Sequence, residues 1–279
     1  MNRKNWHISH SQKFLKQVKD HLKMVDLVLE VVDARAPAIT RSRHLLDSRK
    51  KQLLVLHKAD LAQEEITRAW EEYFSQEGVD ALPFHLNLPI SPLIAWLKEY
   101  KQSRSYSKFK RPLRLMVLGM PNVGKSTLIN MLQQRRAART GNKPGITRGH
   151  QWVRLHQDIE MLDTPGILPP ATDNENTYCC LSALGVLPPN LYDEVEISVW
   201  LLGVLSYSGK LEGLEKRYQL NIEEGNPAAS ILEEIGRRRG CFIPGGNVDL
   251  AAAAGFFLKD FRDGLLGRFS FEAPKGSCL

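Results

Sequence analysis

Cysteine is scarce in this chain: four residues, Cys179, Cys180, Cys241 and Cys278, in a length of 279. None forms a spaced Cys-x-x-Cys pair, which argues against a zinc ribbon or a redox dithiol. A chain this long can build its core without disulfide staples, so the thiols read as reduced residues of a cytosolic protein. Long apolar runs are missing as well. The best, Val199-Trp-Leu-Leu-Gly-Val-Leu205, falls far short of the ~20 residues of a membrane helix. The opening Met1-Asn-Arg-Lys-Asn-Trp6 lacks the apolar core of a signal peptide. Internal repeats and low-complexity tracts are also absent. The expectation is a cytoplasmic protein without membrane insertion. What is present is ordinary for a globular chain, 43% hydrophobic and 25% charged, with length enough for two domains. The net charge of +7 points to an anionic partner such as nucleic acid. Many soluble proteins are mildly basic, so charge alone does not decide.

The most informative stretch is Gly119-Met-Pro-Asn-Val-Gly-Lys-Ser126, which fits GxxxxGK[ST]. An apolar strand pattern, Leu113–Leu118, precedes it and a helical pattern, Thr127–Leu132, follows. In that setting the glycines let successive N–H groups curl round a phosphate, and the helix N-terminus adds partial positive charge. Asn122, Val123, Gly124, Lys125, Ser126 and Thr127 are the expected phosphate-binding residues. Lys125 reaches the β- and γ-phosphates and the Ser126 hydroxyl sits on Mg²⁺.

Other strands read as nearly continuous apolar runs, Leu27–Val32 and Gln52–Leu56, as in parallel strands buried on both faces. The first ends in Asp33-Ala-Arg35-Ala-Pro37, a polar loop at a strand's carboxyl end, where ligands of open α/β sheets collect. The second runs into His57-Lys58-Ala59-Asp60. This tetrapeptide sits where a guanine-reading NKxD loop would sit. An Asp carboxylate accepts from both N1–H and N2–H₂ of guanine, a donor pair that adenine lacks. The Lys stem lies over the purine, and His57 stands in place of the usual Asn. Ala81–Leu86 reads as a third strand, with Asn87 and Leu88 placed to offer N–H groups to guanine O6. Helices are expected over residues 10–25, 41–51, 64–76 and 91–100. Residues 101–111 read as a basic, serine-rich linker.

Beyond the phosphate loop, Thr140-Gly-Asn-Lys-Pro-Gly-Ile-Thr-Arg148 resists regular structure and carries Thr147, placed to reach Mg²⁺ and the γ-phosphate as a switch does. Residues 151–155 and 159–162 read as paired strands, ending in Asp163-Thr-Pro-Gly166. Asp163 fits a Mg²⁺-associated carboxylate, and the Gly166 N–H fits a γ-phosphate contact. From Leu168 the character changes. Residues 193–207, 211–218, 228–239 and 248–261 suit helices. They read as a separate helical domain with Arg237-Arg-Arg239, Lys259, Arg262 and Arg268 as basic residues, the triple Arg being a phosphate-contact candidate.

The base-reading loop precedes the phosphate loop by roughly sixty residues, the reverse of the usual order. The fold class expected is α/β: a circularly permuted P-loop GTPase domain with a mostly parallel sheet over residues 1–170, followed by an all-α domain over 171–279. The Asp163–Gly166 segment then leads directly into the helical domain, so nucleotide state and that domain's position are covalently coupled.

This arrangement resembles the circularly permuted GTPases of the ribosome biogenesis GTPase A (YlqF) family. The likeness runs through Trp6 and His10, Val32-Asp-Ala-Arg35, Lys58 and Asp60, Gly119–Thr127, Lys143-Pro-Gly-Ile-Thr147, Leu162–Leu168, Arg239-Gly-Cys241 and Gly267–Phe271. It implies a GTPase that binds GTP/GDP with Mg²⁺ and acts in late assembly of the large ribosomal subunit. It also implies a C-terminal domain that contacts rRNA, with stimulation of hydrolysis by the ribosome. DNA is not expected as a partner, and the chain is expected to be monomeric. Ile167 occupies the place of the water-orienting Gln of other GTPases, and the resemblance makes His10 the candidate for that task. Asn122 is the candidate K⁺ ligand beside the phosphates. The chain departs from the family at His57 and in the Trp6-His-Ile-Ser-His10 segment, which lacks the Pro-Gly often found before the His. These departures, with Ile167, leave open an RNA-docking module whose nucleotide site barely turns over, and an ATPase.

Overall fold

The computed structural model describes residues 11–42, 50–103, 111–140, 152–156, 158–162, 174–223 and 225–275. These fall into two compact units. One holds the described residues up to 162 together with those from Glu272 onward; the other holds residues 174–271. The sequence division at 170/171 grouped the tail with the helices, whereas the tail from Glu272 packs with the sheet.

The first unit is built from strands β1 (Leu27–Asp33), β2 (Lys51–His57), β3 (Asp80–Phe84), β4 (Leu113–Leu118), β5 (Trp152–His156) and β6 (Ile159–Leu162). They form one sheet in the order β3-β2-β1-β4-β6-β5. All neighbours are parallel except β5, which runs antiparallel to β6. Because side chains alternate across a strand, Val28, Val32, Leu54, Leu56, Met116 and Leu118 share one face. Two helices cover that face. Val18 and Leu22 of α1 (Ser11–Met24) pack with Val28, Met116, Leu118 and Leu162. Trp70 and Phe74 of α2 (Glu64–Gln76) pack with Val32, Leu54 and Leu56. The alternate residues Leu27, Leu29, Val31, Leu53, Val55, Leu115 and Val117 are buried as well, so the central strands are shielded on both sides, as their unbroken apolar runs require.

Some boundaries move. β3 stops at Phe84 instead of Leu86, whose side chain is 63% exposed at the sheet edge. Helix α3 (Ser91–Ser103) extends three residues into the expected linker. Helix α4 (Lys125–Thr140) runs well past Leu132. The expected helix over 41–51 lies mostly outside the described residues.

The second unit contains α5 (Glu175–Ala183), α6 (Glu194–Tyr207), α7 (Glu212–Tyr218), α8 (Ala228–Arg238) and α9 (Leu250–Arg262). Asn174, Asp193 and Asp249 cap α5, α6 and α9 with their side-chain oxygens. At its centre Asp260 accepts from Arg217 Nε at 2.8 Å, Tyr218 OH at 3.0 Å and Arg239 Nη2 at 3.3 Å. One arginine of the triple-Arg phosphate candidate is therefore committed elsewhere: Arg239 belongs to the Asp260 hub. Arg262, another of the basic residues, donates to the Ala183 and Ser182 carbonyls, satisfying the open end of α5. Arg237 and Arg238 are half-exposed and pair along their own helix with Glu233 and Glu234. Helix α5 was not anticipated: Tyr178 to Ala183 is buried throughout, so no polar face marked it as helical.

Candidate nucleotide site

Strand order fixes where a ligand can lie. β1 has β2 on one side and β4 on the other, so the chain's winding reverses beside β1. Ligands of open parallel sheets bind at the carboxyl ends of strands flanking such a reversal. Three segments leave those ends side by side: the base loop from His57, the turn from Asp33, and the phosphate loop from Gly119. Asp33 and His57 are register partners.

The phosphate loop curls through backbone angles that favour glycine, with φ of 153° at Gly119, 58° at Asn122 and 106° at Gly124. Gly119 abuts β1 so closely that a Cβ there would stand 2.3 Å from the Val31 carbonyl oxygen. Val123 is fully buried, pinning the loop to the core, while Asn122 and Ser126 are exposed and Thr127 is half-buried. Lys125 opens α4 and donates from Nζ to the Met120 carbonyl at 2.5 Å, across the loop it serves. Burial pushes its ammonium down to about 8. A tightly turned run of backbone, a lysine folded across it and an exposed serine at a helix start suit a polyphosphate.

The base loop touches this cradle. A Cβ on Gly124 would stand 2.3 Å from Nδ1 of His57, so the imidazole lies flat against the phosphate loop. His57 is 4% exposed, and neither ring nitrogen has a hydrogen-bond partner among the described residues. Burial first, then the charge of Lys58, lowers its pKa to about 4, against the opposing pull of Asp33 and Asp60. The ring is neutral at pH 7. Lys58 has φ 61°, uncommon for a non-glycine residue, and its Nζ reaches Asp33 Oδ2 at 3.0 Å. Ala59 N donates to the Phe84 carbonyl, tying the loop to β3. Asp60 is half-buried at the surface of the same loop.

The Asp33 turn is no open ligand loop. Asp33 is fully buried and Arg35 is 1% exposed; the guanidinium grips the carboxylate with Nε on Oδ1 and Nη2 on Oδ2, both at 2.9 Å. Burial alone raises the Asp33 pKa, but Arg35 and Lys58 outweigh it and hold the carboxyl far below the usual carboxylate range. Ala34 N donates to the His57 carbonyl at 2.8 Å, so the turn serves as a brace for the base loop. Sequence inspection also passed over Glu30. Set inside an apolar run and buried, it accepts from Arg41 Nε at 3.1 Å and Ser42 N at 2.6 Å. A lone acid between Leu29 and Val31 was its only signal.

The structure thus seats His57 on Gly124, so the loop of Lys58 and Asp60 touches the loop that carries Val123, Lys125, Ser126, Thr127 and the exposed Asn122. Asn87 and Leu88 lie in the exposed turn after β3, where the Leu88 N–H is spent on the His85 carbonyl. His10, Thr147, Asp163, Gly166 and Ile167 lie outside the described residues. Among the described residues no three His, Cys, Asp or Glu side chains converge as a metal centre, and no helix is long and apolar enough to cross a membrane.

A mostly parallel sheet whose phosphate loop adjoins a base loop from earlier in the chain defines a class: the circularly permuted P-loop GTPases. Comparison with known proteins narrows it. Residues 114–186 match a family model described as 50S ribosome-binding GTPase. Ribosome biogenesis GTPase A of Bacillus licheniformis is 34% identical, covering 97% of this chain and 98% of that protein. Its counterpart in Thermotoga maritima is 33% identical over 97% of this chain and 95% of its own length. A solved GDP-bound structure of YlqF superposes with a TM-score of 0.69 at 31% identity, over 93% of this chain and 99% of that one. The chain belongs to the ribosome biogenesis GTPase A family.

Proposed function

We propose that this GTPase acts as a switch in late assembly of the large ribosomal subunit, its helical unit docking on rRNA. The observation that supports this reading is the seating of His57 on Gly124, where a base loop and a phosphate loop far apart in sequence touch. Asp60 accepts the guanine N1–H and N2–H₂, Lys125 neutralises phosphate charge, and the Gly119–Gly124 backbone holds the chain of phosphates. Thr147 and Gly166 sense the γ-phosphate, and the segment that carries Gly166 leads on in sequence to the helical unit. Ser126, Thr147 and Asp163 are the residues that would hold Mg²⁺, which would supply positive charge to the phosphates. Asn122 is the K⁺ ligand of this reading; equal turnover in KCl and NaCl counts against it. His10 orients the attacking water, since the aliphatic Ile167 cannot.

Multiple-turnover GTP hydrolysis, measured with and without large ribosomal subunits, tests the proposal. Stimulation by the subunits is expected. Equal slow rates favour an RNA-docking module with a structural nucleotide, and hydrolysis of ATP as well as GTP points to loss of guanine selectivity at His57.

A further inference from the structure

The tail from Glu272 to Lys275 packs beside the turn that braces the base loop. One oxygen of the Glu272 carboxylate accepts two backbone hydrogen bonds, from Ala38 N at 2.5 Å and Ile39 N at 3.0 Å. The Glu272 carbonyl accepts the indole N–H of Trp70 at 3.1 Å. Trp70 is itself buried in the cluster over Val32, Leu54 and Leu56. Two N–H groups converging on one carboxylate oxygen make charge-assisted bonds, roughly twice as strong as neutral ones.

Ala38 and Ile39 belong to the turn that begins at Asp33. That turn is closed by Thr40, whose hydroxyl accepts from Asp33 N at 3.0 Å and donates to the Ala36 carbonyl at 2.7 Å. It holds the base loop at two points, through Ala34 N on the His57 carbonyl and Asp33 Oδ2 on Lys58 Nζ. Lys58 keeps a left-handed backbone, a conformation that persists only where its surroundings over-determine it. Contacts therefore run unbroken from Glu272 through the turn to the residues that precede Asp60.

We propose that Glu272 is a positioning residue for the base loop. Its carboxylate fixes the 33–40 turn from behind, and the turn sets the alignment of Lys58 and Asp60 on the guanine. The proposal rests on the reading that Asp60 accepts from N1–H and N2–H₂. It gives the helical unit a second lever on the nucleotide. In the sequence, the segment after Asp163 is the other link to that unit. Phe271, whose ring stacks on Trp200 at 5.9 Å within the helical unit, is followed directly by Glu272. A partner that moves the helical unit then acts on guanine retention as well as on the γ-phosphate.

The test compares the full-length protein with Glu272→Ala and Glu272→Gln, measuring Kd for GTP and for ITP by competition against fluorescent GDP. ITP lacks the 2-amino group that Asp60 reads, so the ITP/GTP ratio reports base-loop alignment and is blind to a simple loss of folded protein. Glu272→Ala is expected to lower that ratio by at least about five-fold, the lower end of ordinary coupling between sites. Glu272→Gln keeps an acceptor for both N–H groups and is expected to retain the ratio within about two-fold. An unchanged ratio in Glu272→Ala overturns the proposal. Should that variant fail to fold, Trp70→Phe removes the indole donor while keeping an aromatic ring in the cluster. A lowered ratio there supports the lever and an unchanged one overturns it. A native protein that does not prefer GTP over ITP overturns the Asp60 reading and the lever together; a native preference left intact in the variants overturns the lever alone.

Discussion

The imidazole of His57 lies against Gly124, leaving no room for a side chain at the glycine. Gly124 also sits at φ 106°, so alanine there meets both a collision and backbone strain. Strain of this kind costs on the order of 1–3 kcal/mol, and Gly124→Ala is expected to weaken GDP binding at least about ten-fold. Adding His57→Ala removes the collision but not the strain, so the double variant should recover part of the loss. Fluorescent-GDP titrations of the single and double variants check this; a double variant no better than the single one counts against the ring-on-loop contact.

The neutral His57 predicts an acid-sensitive fold. Its pKa falls from 6.5 to about 4 on folding, so between those values the unfolded chain binds the proton and the native state does not. Stability from this group is complete above pH 6.5 and is lost as pH falls towards 4, a change on the order of 3 kcal/mol. Urea unfolding across that range should show a steeper loss for the native protein than for His57→Asn. Parallel curves would contradict the burial of a neutral ring.

Asp33 works in the opposite electrostatic sense. Arg35 and Lys58 hold its carboxyl ionised, so its stabilisation is present above the ordinary carboxylate range and is lost as pH falls below it. Asp33→Asn leaves the buried Arg35 without its counter-charge, which costs roughly 3–5 kcal/mol for a buried pair broken on one side. Denaturant midpoints should fall accordingly. Any Asp33→Asn protein that remains folded should bind GTP less tightly, because Lys58 loses its anchor.

His10 carries the catalytic part of the proposal. His10→Ala is expected to abolish ribosome-stimulated hydrolysis while leaving GTP affinity intact. Stimulated turnover that survives the substitution removes His10 from the mechanism.

The sheet was legible because its central strands are nearly pure apolar runs, and the phosphate loop because glycine spacing, Lys125 and Ser126 state its chemistry directly. The base loop was legible only by its position after β2, and the role of His57 was not. That a histidine packs on Gly124 depends on two strands meeting in space. Asp33 and Arg35 were taken for ligand-facing groups because polar residues at strand ends usually are; their mutual neutralisation lets them be buried as a brace. Glu272 carried no signal, since its partners Ala38 and Ile39 are more than two hundred positions away and contribute only backbone. Arg239 read as a phosphate contact and Arg262 as one more basic residue, because Asp260 and the open carbonyls at the end of α5 become their partners only once the helical unit is folded.

The coupling of nucleotide to partner is tested most directly by sedimenting the protein with large ribosomal subunits, in GDP or in a non-hydrolysable GTP analogue, over a range of salt. A switch predicts that the two nucleotides give different bound fractions, and that binding falls steeply as salt rises, as contact with RNA phosphates requires. Equal co-sedimentation with both nucleotides would contradict it.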